Sequence, residues 1–517
     1  MDKIKILWVD DEIEMLKPHI LFLEQKGYDV DTSNNGDDGL EMIMNNVYDI
    51  IFLDENMPGL TGIETLEQIK AKYPNLPVVM ITKSEEESIM EDAIGSNIAD
   101  FLIKPVKPNQ ILLSLKKNLE NKKLVSEKTT FSYQQEFRNI SFEISNNPDY
   151  MGWLDIYRKL TRWELELEKS NDESILEIMQ FQKSEANQVF SRFIENNYLD
   201  WVGGRSKSYP VMSPNLLKEK VFPLLDDNQS LFLIVIDNLR YDQWKAVQPV
   251  VEEFFRVEQE DLYYSILPTT TQYARNALFA GLMPLEIARK YPKYWKGEEE
   301  EGSKNQFENE LLGEYLKRYG RDVRYSYNKI LNLNAGRKLV DSIPNLLNYK
   351  LSVIVYNFVD MLSHARTEME IIRELANDEK AYRSLMVSWF KNSSLLDIIR
   401  YLAGKKVNIV ITTDHGSVRS QDPVKVVGDR NTTTNLRYKT GKSLNYNPRE
   451  VFEVRNPHDA FLPRTNVSSN YIFCRKNDFF AYPNNYNYYV NYYRNTFQHG
   501  GVSLEEMLVP VAYLRAR

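Results

Sequence analysis

Short apolar runs alternate with amphipathic stretches over the first 120 residues of the chain. Apolar runs of this length predict buried strands, and apolar residues at three- and four-residue spacing predict helices. The predicted strands are Ile4–Val9, Tyr28–Asp31, Asp49–Leu53, Pro77–Ile81 and Ala99–Ile103, and the predicted helices lie near 13–26, 36–46, 61–72, 85–94 and 108–119. This alternation predicts a (βα)5 domain with a parallel sheet, which we place at residues 1–122.

The pattern becomes purely helical over residues 123–205. Trp153–Lys169 and Asp172–Asn196 carry apolar residues at helical spacing, and no strand-like run stands out. The segment therefore predicts a helical linker bundle of two or three amphipathic helices, and its simplest interpretation is a spacer without chemistry. Gly203, Gly204 and Pro210 mark its predicted end.

Residues 206–517 return to an α/β pattern and predict a second, large α/β domain. Leu231–Asp237, Ser352–Asp360 and Val407–Asp414 are nearly continuous apolar runs that each end in an aspartate, which is typical of buried parallel strands. Tyr471–Cys474 and Met507–Tyr513 are further predicted strands, and the acidic stretch 296–310 predicts an exposed loop.

Composition narrows the classes of function. The chain has 517 residues, 43% hydrophobic and 26% charged, with a net charge of −9. This is ordinary for a soluble globular protein, and the acidic balance, with no helix-turn-helix signal, makes direct DNA binding unlikely. The single cysteine, Cys474, excludes an internal disulfide. With no apolar leader and no run of membrane-spanning length, we expect a cytoplasmic protein without membrane insertion.

Acidic residues cluster at the predicted strand ends of the first domain. Asp10 and Asp11 follow the first strand, Asp54 ends the third, Thr82 ends the fourth and Lys104 follows the fifth. These positions converge at one edge of a parallel sheet. Carboxylates held this close need a divalent cation, and oxygen ligands suit Mg²⁺. With such a cation and a lysine, one carboxylate can accept a phosphoryl group.

Four motifs here resemble the response-regulator receiver family: VDDE (9–12), FLDENMPG (52–59), MITKS (80–84) and DFLIKP (100–105). The resemblance implies that Asp54 accepts phosphate from a sensor histidine kinase and that Lys104 contacts the phosphoryl group. It implies Thr82 and Phe101 as the switch pair. The implied magnesium ligands are Asp10, Asp11, Asp54 and the backbone of Asn56. The alternative is a degenerate receiver locked in one state.

A second constellation lies in the C-terminal domain, and it includes three of the five histidines of the chain. Its members are Asp237, Thr271, Asp360, His364, Asp414, His415 and His499. Mixed aspartate and histidine ligands suit zinc, with manganese possible. Six such ligands fit two metal ions better than one, an arrangement that serves phosphoryl transfer. A threonine hydroxyl becomes a competent nucleophile when a metal lowers its pKa.

The order Asp, Thr, Asp-x-x-x-His, Asp-His, His-Gly-Gly resembles the alkaline phosphatase superfamily, and within it the PglZ-type domain. The resemblance implies two zinc ions, one held by Asp237, Thr271, Asp414 and His415 and the other by Asp360, His364 and His499. It implies that Thr271 attacks phosphorus and forms a phosphothreonine, which water releases. The choice of Thr271 over Thr269 or Thr270 rests on a P-x-x-T pattern that begins at Pro268.

The three-part order as a whole resembles the PorX-type family of response regulators. This implies a zinc-dependent phosphodiesterase acting on oligonucleotides, a role in regulating type IX secretion, and a homodimer on phosphorylation. We expect the dimer surface on the fourth and fifth receiver helices. The competing class is a non-catalytic scaffold that binds a sigma factor or secretion component and holds structural zinc. A metal-binding but inactive domain is a third alternative.

Two further segments have open interpretations. The basic stretch 424–442 follows Asp414-His415 closely, so it is either a set of substrate contacts or a solvated loop. Its candidate contacts are Lys425, Arg430, Arg437 and Lys439. The tyrosine-rich run 482–494 either stacks bases or packs at a domain edge or a dimer interface.

Overall fold

A computed structural model of the chain describes residues 4–74, 76–82, 98–169, 173–376, 378–428, 432–464, 466 and 468–516. The chain divides into two compact units, Met1–Ser132 and Tyr133–Arg517. Within the described residues, no helix combines the length and the apolarity needed to cross a bilayer.

The first unit is built on a five-stranded parallel sheet with strand order β2-β1-β3-β4-β5. Its described strands are β1 (Lys5–Val9), β2 (Asp29–Ser33), β3 (Ile50–Asp54), β4 (Val78–Thr82) and β5 (Asp100–Ile103). Its described α-helices before residue 116 are α1 (Lys17–Gln25), α2 (Gly36–Asn45), α3 (Gly62–Lys72) and α4 (Pro108–Leu115). Alternate strand residues such as Phe52 and Leu53 enter separate cores on the two faces of the sheet. The predicted (βα)5 fold is confirmed, while the predicted helix at 85–94 lies outside the described residues.

Helix α3 begins directly against the strand end that carries Asp54. A capping box fixes this start, because the Thr61 hydroxyl accepts from the Glu64 backbone N–H while the Glu64 carboxylate accepts from the Thr61 backbone N–H. A Cβ at Gly62 would lie 2.2 Å from the Asp54 carbonyl oxygen. Glycine is therefore needed for the helix to approach this strand end so closely.

Three long helices follow, α5 (Asn121–Ser145), α6 (Tyr150–Leu167) and α7 (Glu173–Val202). Within the second unit they are more than a spacer. Trp153 of α6 and Phe190 of α7 belong to the same hydrophobic core as Leu233 of the C-terminal sheet. Helices α6 and α7 therefore contribute to the hydrophobic core of the C-terminal α/β fold.

The C-terminal sheet has six described strands in the order β7-β19-β10-β6-β9-β8. They are β6 (Ser230–Ile236), β7 (Phe255–Tyr264), β8 (Tyr325–Ile330), β9 (Leu351–Tyr356), β10 (Val407–Thr412) and β19 (Leu508–Ala516). Strands β10, β6, β9 and β8 are parallel, and β19 and β7 add an antiparallel edge. The carboxyl ends of the parallel strands form the edge where a site is expected.

Smaller elements surround this sheet. The short strands are β11 (Val418–Arg419), β12 (Asp422–Val427), β13 (Tyr438–Gly441), β14 (Asn445–Tyr446), β15 (Val451–Val454), β16 (Asn470–Cys474), β17 (Asp478–Ala481) and β18 (Phe497–Gln498). The α-helices are α8 (Ser213–Leu216), α9 (Tyr241–Glu252), α10 (Asn276–Ala280), α11 (Pro284–Lys290), α12 (Glu308–Arg318), α13 (Leu333–Leu346), α14 (Phe358–Glu368), α15 (Glu370–Leu375), α16 (Glu379–Lys391), α17 (Ser394–Ala403), α18 (Tyr486–Tyr493) and α19 (Leu504–Met507).

One predicted strand end is wrong. Strand β9 ends at Tyr356, and Asp360 lies in the first turn of helix α14. Because His364 follows Asp360 by four residues on that helix, both side chains project from the same face.

Candidate phosphoryl-acceptor site and candidate metal centre

The acidic site of the first unit brings together the predicted residues at the sheet edge. Single carboxylate oxygens of Asp10, Asp11 and Asp54 lie within 4.8 Å of one another. The Lys104 ammonium lies 2.7 Å from Asp54 Oδ1 and 3.0 Å from Asp10 Oδ2. Thr82 ends β4, Phe101 of β5 packs against the core, and Asn56 lies two residues beyond Asp54.

Burial dominates the electrostatics of this acidic site. It raises the pKa of Asp54, and the nearby Asp10 carboxylate raises it further, while Lys104 acts in the opposite sense. Asp54 Oδ2 is buried and has no hydrogen-bond partner among the described residues. A divalent cation at this cluster would satisfy that oxygen and favour the ionised carboxylates.

In the C-terminal unit, Asp237, Asp414 and His415 form a first ligand group, and each of the three is fully buried. Asp237 follows β6, and Asp414 and His415 follow β10. The Thr271 hydroxyl lies 3.2 Å from both Asp237 Oδ1 and His415 Nε2. Thr271 begins a short π-helical turn that ends at Arg275.

The neighbouring threonines have different surroundings. The Thr269 hydroxyl donates to the Gly501 carbonyl and accepts from the Gly500 N–H. The Thr270 hydroxyl is buried and has no hydrogen-bond partner among the described residues. Of the three hydroxyls, that of Thr271 is the one in contact with the ligand group.

Asp360, His364 and His499 form a second ligand group, again with one donor atom of each within 4.8 Å of the others. His499 Nε2 lies 3.4 Å from Asp360 Oδ1, and His364 Nε2 lies 3.6 Å from Asp360 Oδ2. The rings of His415 and His499 stack with centroids 4.4 Å apart, so the two groups are neighbours. The aspartates and histidines fall into the same two groups that the resemblance to the alkaline phosphatase superfamily implies.

Backbone carbonyls orient two of the histidines. His415 Nδ1 donates to the Gly416 carbonyl at 3.1 Å, and His499 Nδ1 donates to the Thr269 carbonyl at 3.3 Å. A carbonyl can only accept, so each contact places a proton on Nδ1, and Nε2 is the ring nitrogen that faces the site and can bind a metal ion. This orientation is typical of metal-ligating histidines.

The donor set fits divalent metal ions. Asp414 Oδ2 is buried without a hydrogen-bond partner among the described residues. Burial raises the pKa of Asp237, whereas contact with His499 and His364 overcomes burial and holds the pKa of Asp360 well below its usual range. Buried carboxylates and imidazole lone pairs at these distances suit zinc or a similar ion.

Three polar side chains missed by the sequence interpretation complete the centre. Asn238, at a left-handed φ of 64°, donates from its backbone N–H to Asp414 and from its side chain to Asp360, so it bridges the two groups. Arg275 is fully buried, with Nη1 2.7 Å from Asp237 Oδ2, and Asn357 donates to the same oxygen at 2.8 Å. The sequence points to these three residues only through their position, because each lies within one helical turn of Asp237, Thr271 or Asp360.

The basic segment 424–442 differs from the expectation of a set of substrate contacts. Arg437 is fully buried and pairs with Glu506 at 2.6 Å, and Glu506 also accepts from the Gly501 N–H beside His499. Arg437 therefore supports the loop that carries His499. Lys439 is buried and donates to the Thr433 carbonyl, and burial lowers its pKa to about 8. Lys425 is exposed, and Arg430 lies outside the described residues.

The acidic stretch 296–310 is likewise more than an exposed loop. Its Glu308 is buried and accepts from Arg275 Nε at 2.6 Å. Its Glu298 accepts from the hydroxyls of Tyr273 and Tyr438. The insertion therefore packs against the turn that carries Thr271.

A (βα)5 unit with a buried aspartate cluster, followed by an α/β unit with two neighbouring ligand groups, one of them in contact with a threonine, defines a response regulator that carries an alkaline-phosphatase-like domain. The chain belongs to the PglZ family, because the model described as "BREX system PglZ alkaline phosphatase-like domain" matches residues 216–514. The "Response regulator receiver domain" model matches residues 6–116, and the "PorX response regulator linker domain" model matches residues 123–202. This order is that of a PorX-type response regulator.

Individual relatives are similar to this chain over a receiver's length. The transcriptional regulatory protein ResD of Bacillus subtilis is 35% identical over 112 residues, which are 22% of this chain and 46% of ResD. The CpxR homolog of Haemophilus influenzae is 38% identical over 114 residues, which are 22% of this chain and 48% of that protein. The chain thus spans about half the length of these relatives. Receivers of this kind imply phosphorylation by a sensor kinase.

Solved structures are also similar to part of this chain. The chemotaxis response regulator CheY4 of Vibrio cholerae is 30% identical, covers 23% of this chain and 100% of its own, and has a TM-score of 0.22. A receiver domain protein of Methanospirillum hungatei is 28% identical, covers 23% of this chain and 96% of its own, and has a TM-score of 0.22.

Proposed function

We propose that this protein is a phosphodiesterase that cleaves oligonucleotides with Thr271 as nucleophile, under the control of phosphorylation at Asp54. The observation that carries the proposal is the Thr271 hydroxyl, 3.2 Å from both a carboxylate oxygen of Asp237 and Nε2 of His415. A threonine hydroxyl in contact with one of two neighbouring groups of nitrogen and oxygen ligands suits phosphoryl transfer.

The chemistry of the chain's own residues takes two steps. Asp237 and His415 orient Thr271 Oγ, which attacks phosphorus while the bond to the departing nucleoside oxygen breaks. Water then cleaves the phosphothreonine and restores the hydroxyl.

Asp237, Asp414 and His415, joined by Thr271, would hold one zinc ion, and Asp360, His364 and His499 would hold the other. When bound, these ions supply positive charge that lowers the pKa of the hydroxyl and neutralises the leaving oxygen.

The receiver half of the proposal concerns control. Asp54 accepts a phosphoryl group from a sensor histidine kinase, with Mg²⁺ held by Asp10, Asp11, Asp54 and the backbone of Asn56. Thr82 and Phe101 respond as the switch pair, and the phosphorylated chain forms a homodimer. The proposed domain bounds are residues 1–122, 123–205 and 206–517. We propose that the protein is located in the cytoplasm and regulates type IX secretion.

The test compares Thr271→Ala with the matched control Thr270→Ala in zinc-loaded full-length protein. Substrates are bis(p-nitrophenyl) phosphate and linear di- to tetranucleotides. We expect Thr271→Ala to lose at least about 10³-fold in kcat, because the nucleophile is gone. Thr270→Ala should stay within a few-fold of wild type, since the Thr270 hydroxyl contacts neither ligand group.

An inert wild-type protein would contradict the catalytic proposal. The scaffold alternative, in which the C-terminal domain binds a sigma factor or secretion component around structural zinc, would then replace it. Equal losses in both threonine variants would move the nucleophile away from Thr271.

A further inference from the structure

The tyrosine-rich helix α18 has one face packed and one face free of packing against the described chain. Val490, with Tyr486 and Tyr493, packs against Phe479 and its neighbours. Tyr488, on the opposite side, is 65% exposed, and Tyr489, at the edge of the packed face, is 39% exposed. Large exposed aromatic side chains in a contiguous set indicate a binding surface.

The rings of α18 are ordered with respect to one another. Tyr488 and Tyr492 are nearly parallel, with centroids 6.2 Å apart, and so are Tyr489 and Tyr493. This order follows from their spacing of four residues on a helix. We call Tyr488, Tyr489 and Tyr492 the tyrosine platform.

One cation lies beside the platform, and a second lies beside Tyr486 on the packed side of the helix. The Arg373 guanidinium lies 5.2 Å from the centroid of Tyr492, and the Lys425 ammonium lies 5.0 Å from that of Tyr486. Arg373 Nε is buried and has no hydrogen-bond partner among the described residues. Aromatic rings combined with cations are the features by which proteins bind single-stranded nucleic acid without sequence preference.

The segments that carry the platform and its cation are connected along the chain to the segments that carry the second ligand group. Helix α14 carries Asp360 and His364, and α15 with Arg373 follows it directly. The chain leaves α18 through β18 and reaches His499 six residues after Tyr493. Gln498 of β18 donates to the Thr367 hydroxyl of α14 at 3.5 Å, which ties the two segments together.

The second ligand group also opens toward solvent. The His364 side chain is 62% exposed, whereas the first ligand group is fully buried.

We propose that the tyrosine platform binds bases of a single-stranded oligonucleotide whose scissile phosphodiester lies at Thr271. The inference rests on the proposed phosphodiesterase and adds to it the surface that selects oligonucleotides over small phosphate esters. Bases stack on Tyr488 and Tyr489, while Arg373, beside Tyr492, neutralises a phosphate between them.

The test uses full-length protein with the double change Tyr488→Ala and Tyr489→Ala. For a hexanucleotide we expect KM to rise about tenfold or more at nearly constant kcat, because stacking on each ring contributes to binding away from the reacting phosphorus. The kinetic constants for bis(p-nitrophenyl) phosphate, which carries no bases, should be unchanged. The phenylalanine double variant should restore the KM, and Tyr209→Ala, a change at a tyrosine that is 50% exposed, should have no effect.

An unchanged KM for the hexanucleotide in a variant that still cleaves the small ester would overturn the platform and leave the phosphodiesterase intact. If wild type cleaves neither substrate, the proposal of phosphodiesterase activity is wrong. Binding of a labelled hexanucleotide, measured by fluorescence anisotropy, then tests the tyrosine platform separately. Weaker binding by the alanine double variant would then support it, and equal binding would overturn it. A changed oligomeric state at unchanged KM would instead assign the surface to a second copy of the chain.

Discussion

At the scale of single residues, Arg275 sets the geometry of the first ligand group. Its guanidinium contacts Asp237 Oδ2 through Nη1 and Glu308 through Nε, and both contacts are fully buried. With Asn357 on the same Asp237 oxygen, this leaves Oδ1 directed at Thr271. Partners that fix a ligating carboxylate are nearly as important as the ligand itself.

We predict that Arg275→Lys lowers kcat about 10- to 100-fold on bis(p-nitrophenyl) phosphate at saturating zinc, because an ammonium lacks the planar fork that spans Asp237 and Glu308. Isothermal titration of the metal-free protein with zinc should show altered binding at one of two sites. The control is Arg289→Lys, on an exposed stretch of α11. Wild-type kcat in the Arg275 variant would contradict this role.

Sequence patterns predict those site residues that end strands or repeat a motif, and miss those defined by distant partners. Asp237 and Asp414 were visible because apolar runs lead directly into them. Arg437 looked like a substrate contact because the segment around it is basic. Its partner Glu506 is 69 residues away in sequence, so the ion pair that buries it becomes apparent only in three dimensions.

At the scale of elements, buried charges join the linker helices to the segments around the metal centre. Lys183 of α7 lies 2.9 Å from Glu164 of α6, 3.2 Å from Glu505 of α19 and 3.5 Å from Glu379 of α16. Arg383 of α16 extends this charged cluster to Asp242 and Glu168. Burial raises the pKa of Glu168 to about 7, although Arg383 acts in the opposite sense.

We predict that Lys183→Met destabilises the C-terminal unit by about 3–5 kcal/mol, because it leaves Glu505 buried without its cation and Glu164 with only its 3.4 Å contact to Arg383. Thermal or denaturant unfolding of full-length protein measures the change. The matched control is Lys169→Met, since the Lys169 side chain is 71% exposed and its ion pair with Glu166 contributes little. Equal unfolding midpoints for the two variants would show that the charged cluster does not hold the helices in place.

The elements themselves were predictable where periodicity is strong. The five strands of the first sheet, strands β6, β9 and β10 of the second, and the helices between 123 and 205 follow from apolar spacing. Parallel strand β8 (Tyr325–Ile330) was not predicted, because polar residues interrupt its apolar pattern. The packing of α6 and α7 against the C-terminal sheet was not predictable, because a helix's apolar face does not show what will cover it. The position of Asp360 was missed for a related reason, since the apolar run continues past the end of β9 into helix α14.

At the scale of the whole molecule, the chain combines a receiver unit with an alkaline-phosphatase-like unit. The acidic site contains Asp10, Asp11, Asp54 and Lys104, and the C-terminal unit contains two neighbouring ligand groups, one of which contacts Thr271. The account therefore requires that the phosphoryl group on one unit change the reaction rate of the other. A phosphorylation-dependent change of rate needs a conformational or association equilibrium that phosphorylation shifts.

The most direct test measures cleavage of a linear oligonucleotide by zinc-loaded wild type, Thr271→Ala and Asp54→Asn, each before and after treatment with acetyl phosphate and Mg²⁺. The account predicts that wild type cleaves, that Thr271→Ala does not, and that acetyl phosphate changes the rate of wild type but leaves that of Asp54→Asn unaltered. Wild-type cleavage at the same rate before and after verified phosphorylation, or no cleavage at all, would contradict the account.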